Sequence, residues 1–252
     1  MNLLIAVPTY NEAKYVDAVI DDIKPYSPEI LIVDDGSSDA TPQILARRND
    51  VRVLRHEPNQ GYGRSLIDAF AYAGKHGFDW VITMDADGQH DAQSIPDFVR
   101  EIETGEWDLI SGSRYLAAKS TDDLPPVERR NVNHRISTIL NNLMGWELTD
   151  SFCGFKAHRV SSMLSLDLDE NGYAFPLQLW PRAWNAGLRM KEIPVRRIYN
   201  DPNRSFGGDL DDADRRFKHY VDVLNRELDR MGKPPVELEA ERSAVRVGCG
   251  CR

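Results

Sequence analysis

Short apolar runs alternate with helical patterns along the first half of the chain, and this alternation limits the possible folds more than any other feature. The runs are rich in aliphatic and β-branched residues, which is typical of strands buried on both faces. The stretches between them carry apolar residues at helical spacing, as at Val16, Val19, Ile20 and Ile23. Strands that alternate with helices through short connections form a mostly parallel sheet with helices on both faces. The sequence therefore predicts an α/β fold.

The predicted elements continue through the second half of the chain. Strands are predicted over residues 3–7, 30–33, 51–54, 80–84, 109–110 and 190–195, and helices over residues 13–24, 41–47, 65–76, 95–102, 128–145, 176–187 and 211–231. Beyond Lys233 the sequence is polar and aperiodic, so we predict one domain over residues 1–232 and a flexible tail over 233–252.

Polar clusters follow four of the strands predicted in the first half. They are Pro-Thr-Tyr-Asn-Glu at 8–12, Asp-Asp-Gly-Ser-Ser-Asp at 34–39, Asp-Ala-Asp-Gly-Gln-His at 85–90 and Gly-Ser-Arg-Tyr at 112–115. Because ligands of parallel sheets bind at the carboxyl ends of the strands, these clusters predict one common site.

The cluster at 85–90 carries the clearest chemistry. Asp85 and Asp87 are close enough in sequence to reach one hard cation, and Gln89 could add a neutral oxygen ligand. Such a cation neutralises charge that develops on a diphosphate leaving group. The alternative is an ordinary solvated turn, because Asp-Gly pairs are common in turns.

Composition excludes some classes of protein. A net charge of −9 argues against a nucleic-acid partner, because phosphate backbones require clustered Lys and Arg. Three cysteines in 252 residues do not make a disulfide framework, which favours a reducing, cytoplasmic setting. No run approaches the roughly 20 apolar residues that cross a bilayer, and the apolar start of the chain lacks the basic leader of a signal peptide.

Read together and in order, these clusters and Asn-Gln-Gly-Tyr-Gly at 59–63 resemble the family 2 inverting glycosyltransferases over about residues 2–208. Within that family the chain looks most like the dolichol-phosphate mannosyltransferase and polyprenyl-phosphate glucosyltransferase group. The resemblance implies a GT-A nucleotide-sugar-binding fold, Mg²⁺ or Mn²⁺, and a GDP- or UDP-sugar donor. It assigns the metal to Asp85, Asp87 and Gln89, and the nucleotide to Pro8, Tyr10, Glu12, Val33, Asp35, Ala86 and Asp87.

The same resemblance suggests an acceptor side. It places Arg114 at an acceptor phosphate and Arg204 over the diphosphate, on a loop that is mobile in the family. An interfacial helix of the family would carry Arg129, Arg130, Asn133 and His134. The sequence departs from the family pattern at Asn133 and Cys153, where Ser is usual, and at Gln178, where Glu is usual.

The acceptor itself stays open at this point. A lipid phosphate is already anionic and needs only cations to position it, whereas a hydroxyl acceptor also needs a base. Asp150 is the candidate base, although a turn cap explains it equally well. Gln178 also suggests a third reading, a nucleotide-sugar-binding protein without turnover. The basic helix at 128–145 is either a solvated face or a peripheral contact with the cytoplasmic face of a membrane, with or without a membrane-protein partner.

Overall fold

A computed structural model describes residues 1–117, 126–198 and 208–236 of the chain. The strands in these residues are β1 (Leu3–Thr9), β2 (Ile30–Asp34), β3 (Arg52–Arg55), β4 (Trp80–Thr83), β5 (Leu109–Ser113), β6 (Lys156–Arg159) and β7 (Met190–Pro194). The α-helices are α1 (Val16–Ile23), α2 (Thr41–Leu45), α3 (Tyr62–Lys75), α4 (Ile95–Glu103), α5 (Val127–Met144), α6 (Val160–Leu164), α7 (Phe175–Asn185) and α8 (Ala213–Arg230).

The strands form one sheet in the order β3-β2-β1-β4-β6-β5-β7. Neighbouring strands are parallel except at β6, which runs antiparallel to both β4 and β5. The expectation of a mostly parallel sheet with helices around it is therefore confirmed. Within the described residues, none of the helices combines the length and the apolar character that a bilayer crossing requires.

Strand β6 and the short helix α6 were missed by the sequence prediction. The reason is the composition of β6, Lys-Ala-His-Arg, which has no apolar pattern. Lys156 and His158 are nevertheless buried, because β6 lies in the middle of a sheet whose faces are covered. The His158 ring, for example, lies 4.8 Å from the ring of Phe70 on α3. A polar strand in the middle of a sheet cannot be found from hydrophobic periodicity.

Apolar side chains fill both faces of the sheet. On one face, helices α3, α5, α7 and α8 pack over residues such as Leu4 and Val81, and Trp180 is fully buried there. On the other face, α1 and α4 pack over Ile5 and Ile82. Burial on both faces explains why the strand sequences are continuous apolar runs. The division into a domain of residues 1–232 and a tail of 233–252 stays a prediction, since residues 237–252 lie outside the described residues.

The topology gathers loops at one edge of the sheet. Strands β1, β2, β4 and β5 run in the same direction, so their carboxyl ends lie at the same edge. Strand β6 runs the other way and begins at that edge, which brings in the preceding residues 150–155 as well.

Gln178 on α7 connects this helix to α8. Its Oε1 accepts hydrogen bonds from the backbone N–H groups of Asp169 (2.7 Å) and Glu170 (2.8 Å). Its Nε2 donates to the carboxylates of Asp169 (2.5 Å) and Glu227 (2.9 Å). The amide is fully buried. Two N–H groups need an acceptor at this position and two carboxylates need a donor, and only an amide side chain provides both. The buried carboxylate of Glu227 therefore explains why Gln stands where the family usually has Glu.

Replacing Gln178 with glutamate should lower the free energy of unfolding by about 3 kcal/mol, because the new carboxylate would face two existing ones in a buried site. The same substitution at Gln43, which is exposed on α2, introduces the same charge and should change little. Chemical denaturation of both variants at neutral pH measures the difference. Equal unfolding free energies for the two variants would refute the role of Gln178.

Candidate active site

The loops at the carboxyl edge of the sheet surround a cleft of about 440 Å³. Most of the residues assigned to a site by the sequence line this cleft. They are Pro8, Tyr10, Glu12, Asp35, Asp85, Ala86, Asp87, Gln89, Arg114, Arg129 and Asn133. Positions from four strand ends and from α5 therefore meet in one cavity.

The remaining predicted residues lie elsewhere. Val33 is fully buried in β2, and its side chain belongs to the apolar core. Arg130 and His134 are exposed on α5 and are not among the residues that line the cleft. Asp150 is fully buried beneath Arg114. Arg204 lies outside the described residues.

Asp85 and Asp87 follow β4 and point toward the cleft from a tight turn. The Oδ1 atom of Asp85 accepts a hydrogen bond of 3.2 Å from the hydroxyl of Tyr62. The backbone N–H of Asp85 donates to Nδ1 of His90 (3.0 Å), and Oδ1 of Asp87 accepts from the backbone N–H of Gln89 (2.9 Å). A Cβ atom added to Gly154 would lie 2.6 and 2.7 Å from the two carboxylate oxygens of Asp85, so a larger residue there would displace this carboxylate.

These residues suit a hard divalent cation. Two carboxylates and an amide oxygen are the ligand types that Mg²⁺ prefers, with water or phosphate completing the shell. The Nε2 atom of Gln89 is buried and has no hydrogen-bond partner among the described residues, which is typical of a side chain that belongs to a ligand site. The described residues contain no group of three or more His, Cys, Asp or Glu side chains that could hold a metal. An ion held by Asp85, Asp87 and Gln89 would complete its shell with water or with oxygen atoms of a substrate.

His90 packs behind this turn. Its ring lies 5.1 Å from the ring of Phe155, and its Nε2 lies 3.7 Å from Oδ2 of Asp85. Burial alone would lower the pKa of His90, but the charge of Asp85, together with Cys153 and Asp87, raises the pKa above its ordinary value. The ring supports the Asp85 backbone and carboxylate from within the protein.

Asp35 anchors the start of α3. Its carboxylate accepts hydrogen bonds from the backbone N–H groups of Gln60 and Gly61, both at 2.8 Å. The ring of His56 lies between Asp35 (2.7 Å) and Asp68 (2.9 Å). These contacts fix the carboxylate at the wall of the cleft.

Arg114 and Asp150 form a buried, bidentate ion pair. Nε of Arg114 donates to Oδ2 of Asp150 (2.7 Å) and Nη2 donates to Oδ1 (2.9 Å). Asn133 adds a third side-chain donor to Oδ1 at 2.7 Å. Burial raises the pKa of Asp150, but the charge and hydrogen bonds of Arg114 outweigh it and hold the pKa below its ordinary value. Asn133, which departs from the family pattern, thus has a clear structural role.

The glycosyl transferase family 2 model matches residues 4–165, which is more than half of the chain. The chain belongs to glycosyl transferase family 2. The resemblance drawn from the ordered strand-end motifs is thereby confirmed, and so is the expectation that the protein is a glycosyltransferase.

Individual relatives in family 2 act on polyprenyl phosphates, by their names. The chain is 29% identical to the undecaprenyl-phosphate mannosyltransferase of Micrococcus luteus over 214 residues, which cover 81% of this chain and 87% of the relative. It is 28% identical to the UDP-N-acetylglucosamine–dolichyl-phosphate N-acetylglucosaminyltransferase of Methanococcus voltae, over 81% of this chain and 89% of the relative.

A solved structure confirms the GT-A-type fold. The glucosyl-3-phosphoglycerate synthase of Mycobacterium tuberculosis, in complex with Mn²⁺, UDP-glucose and phosphoglyceric acid, superposes with a TM-score of 0.65 at 21% identity. The match covers 92% of this chain and 80% of that one.

The structure also adds cleft residues that no family motif indicated. Arg216 on α8 is buried, lines the cleft and donates from Nη1 to the carbonyl oxygen of Leu210 (2.5 Å). Tyr220 lies one turn further along the same helix and also lines the cleft. Burial is the main cause that raises the pKa of Tyr220 to about 12, while the charges of Arg216 and Arg129 lower it. One feature of the sequence could have indicated Arg216, because this charged residue shares the apolar face of α8 with Phe217 and Tyr220.

Lys156 is another cleft residue that the sequence did not single out. It is buried at the start of β6 and lines the cleft, and its Nζ donates to the carbonyl oxygen of Cys153. The same Nζ lies 5.3 Å from the ring centroid of Trp180. Burial lowers the pKa of Lys156 below its ordinary value. The contact with Cys153 holds the segment that passes beside Asp85.

Proposed function

We propose that the protein transfers a hexose, with inversion, from a GDP- or UDP-sugar to a polyprenyl- or dolichyl-phosphate-type acceptor, using Mg²⁺ or Mn²⁺. The observation that carries this proposal is that two chemically different groups of residues line one cleft. Oxygen ligands lie at the ends of β1, β2 and β4, and guanidinium groups lie on the loop after β5 and on α5 and α8.

The donor side suits a sugar nucleotide. Pro8, Tyr10, Glu12 and Asp35 would line the base and ribose, and Asp85, Asp87 and Gln89 would hold the cation. When bound, the cation offsets the negative charge that develops on the departing nucleoside diphosphate. The bond from the anomeric carbon to the β-phosphate oxygen breaks, and its electron pair leaves with the diphosphate.

The acceptor side suits a phosphate. Arg129 and Arg216 line the cleft together with Arg114, and apolar walls come from residues such as Phe152 and Tyr220. Guanidinium groups bind phosphate oxygens in charge-assisted pairs. They would hold the acceptor phosphate so that one of its oxygens attacks the anomeric carbon.

The state of Asp150 favours a phosphate over a hydroxyl acceptor. A hydroxyl must lose a proton to a base as it attacks, and an efficient base has a pKa near the working pH. The carboxylate of Asp150 is buried, accepts hydrogen bonds from Arg114 and Asn133, and has a lowered pKa. It is therefore a poor base, and we assign it to positioning Arg114.

Access to a lipid acceptor would follow from peripheral contact with the cytoplasmic face of a membrane. Leu116 and Val127, on either side of residues 118–125, are 45% and 60% exposed. Arg130 and His134 are exposed on α5, which begins at Val127. We propose this side of α5 as the membrane contact, alone or with a membrane-protein partner.

Product chemistry tests the acceptor. The purified protein is incubated with Mn²⁺, radiolabelled GDP-mannose or UDP-glucose, and undecaprenyl phosphate in detergent. We expect a lipid-linked product that releases its sugar in mild acid, because glycosyl phosphates are acid-labile. A product that resists mild acid would instead indicate transfer to a hydroxyl group.

Arg216 gives a sharper test of the acceptor side. Arg216→Gln should lower kcat/KM for the lipid phosphate by about 10- to 100-fold, the value of one or two charge-assisted hydrogen bonds. Nucleotide affinity should not change. Arg215→Gln removes the same charge from the exposed neighbouring position and serves as the matched control. If both variants behave alike, Arg216 does not bind the acceptor.

A further inference from the structure

Tyr62 is the first residue of α3, and its hydroxyl reaches the proposed metal site beside Gly154. Its hydroxyl lies 3.2 Å from Oδ1 of Asp85, and Gly154 packs against both oxygens of the same carboxylate. The Tyr62 hydroxyl and the Gly154 backbone thus meet the Asp85 carboxylate at neighbouring positions. A carboxylate confined in this way has little freedom to rotate.

The backbone at Tyr62 is fixed by the glycines on either side. A Cβ atom on Gly61 would lie 2.2 Å from the carbonyl oxygen of Asn171, and one on Gly63 would lie 2.1 Å from that of Glu170. The start of α3 therefore packs directly against the backbone of residues 170–172. A side chain at either of these two positions would clash with that backbone and displace the start of α3.

The ring of Tyr62 is fixed as well. It stacks on Tyr173 with a centroid separation of 5.8 Å and an interplanar angle of 18°. The hydroxyl is the donor in its hydrogen bond with Asp85, because a carboxylate oxygen accepts. Contacts thus fix the backbone, the ring and the hydroxyl of Tyr62 beside Asp85.

We propose that Tyr62 is a positioning residue that holds the Asp85 carboxylate in the orientation that binds the divalent cation, and thereby sets the cation affinity of the donor complex. This inference rests on the proposed function, because it concerns the metal that the donor requires. Outer groups that orient metal ligands typically change metal affinity by 10- to 100-fold when they are removed.

The test measures Mn²⁺ affinity directly, without turnover. Free Mn²⁺ is followed by electron paramagnetic resonance while it is titrated into the protein with saturating UDP or GDP. We expect Tyr62→Phe to weaken Mn²⁺ binding by about 10-fold and to leave nucleotide affinity without metal unchanged. Tyr72→Phe removes a hydroxyl from the same helix, where Tyr72 contacts Arg52 instead, and should match the wild type.

A double-mutant cycle separates positioning from a general loss of structure. In an Asp85→Asn background, Tyr62→Phe should have much less effect, because the carboxylate that it positions is gone. The role of Tyr62 would be refuted if the losses of Mn²⁺ affinity in the two single variants simply add in the double variant. It would also be refuted if Tyr62→Phe binds Mn²⁺ as tightly as the wild type. Either result would leave the proposed function itself standing. If the wild-type protein fails to bind Mn²⁺ in the presence of either UDP or GDP, the metal-dependent donor site is wrong, and the role of Tyr62 is wrong with it.

Discussion

Replacing Asp87 with alanine is expected to abolish metal-dependent nucleotide binding. Asp87 is largely buried, follows β4 and is held by the backbone N–H of Gln89. If it bridges the cation to the diphosphate, its loss removes several kcal/mol of interaction. Nucleotide affinity in the presence of Mn²⁺ should then fall by about 100-fold or more.

Isothermal titration of UDP and GDP, with and without Mn²⁺, measures this loss. Asp97→Ala on α4 makes the same change at a partly exposed position outside the cleft, and should bind as the wild type does. If Asp87→Ala keeps the full effect of Mn²⁺ on nucleotide affinity, the assignment of the metal to Asp85 and Asp87 is wrong.

Replacing Asp150 with asparagine should destabilise the fold by about 3–5 kcal/mol, because it leaves the largely buried guanidinium of Arg114 without its counter-charge. Asparagine keeps the size of the side chain, so the effect reports charge. Asp222→Asn is the matched control, since Asp222 pairs with Lys218 at the surface. An exposed pair of this kind contributes less than about 1 kcal/mol.

The effect of Asp150→Asn should depend on pH. The pKa of Asp150 is lowered in the folded protein, because Arg114 outweighs the cost of burial. Its stabilising contribution is complete above the unfolded pKa of about 4 and is lost as the pH falls through the lower, folded pKa. Urea denaturation of both proteins from neutral to acidic pH checks this. If the variant is as stable as the wild type at neutral pH, the ion pair does not stabilise the fold.

The fold could be predicted largely because local patterns agreed with the final topology. The continuous apolar runs of β1, β2 and β4 belong to strands covered on both faces, and their carboxyl ends carry the polar clusters. Strand β6 could not be found in this way. Its Lys156 and His158 are buried by neighbours that come together only in the folded sheet.

Some residues of the candidate site could likewise be predicted from local sequence, and others could not. Asp85, Asp87 and Arg114 belong to short ordered motifs, so sequence alone singled them out as candidates. Tyr62 also belongs to a motif, at 59–63, but the sequence assigned it no role. Tyr62 and Arg216 reach the cleft because α3 and α8 pack over one face of the sheet, and this placement depends on contacts between distant parts of the chain. The sequence also gave no indication that Asp150 would be neutralised by Arg114, which changes it from a candidate base to a positioning residue in the proposed mechanism.

The most direct measurement is an anomalous diffraction map of crystals grown with Mn²⁺ and UDP or GDP. The proposed mechanism predicts an anomalous peak between the carboxylates of Asp85 and Asp87, in contact with the diphosphate. A nucleotide bound in the cleft with no manganese beside these carboxylates would contradict it.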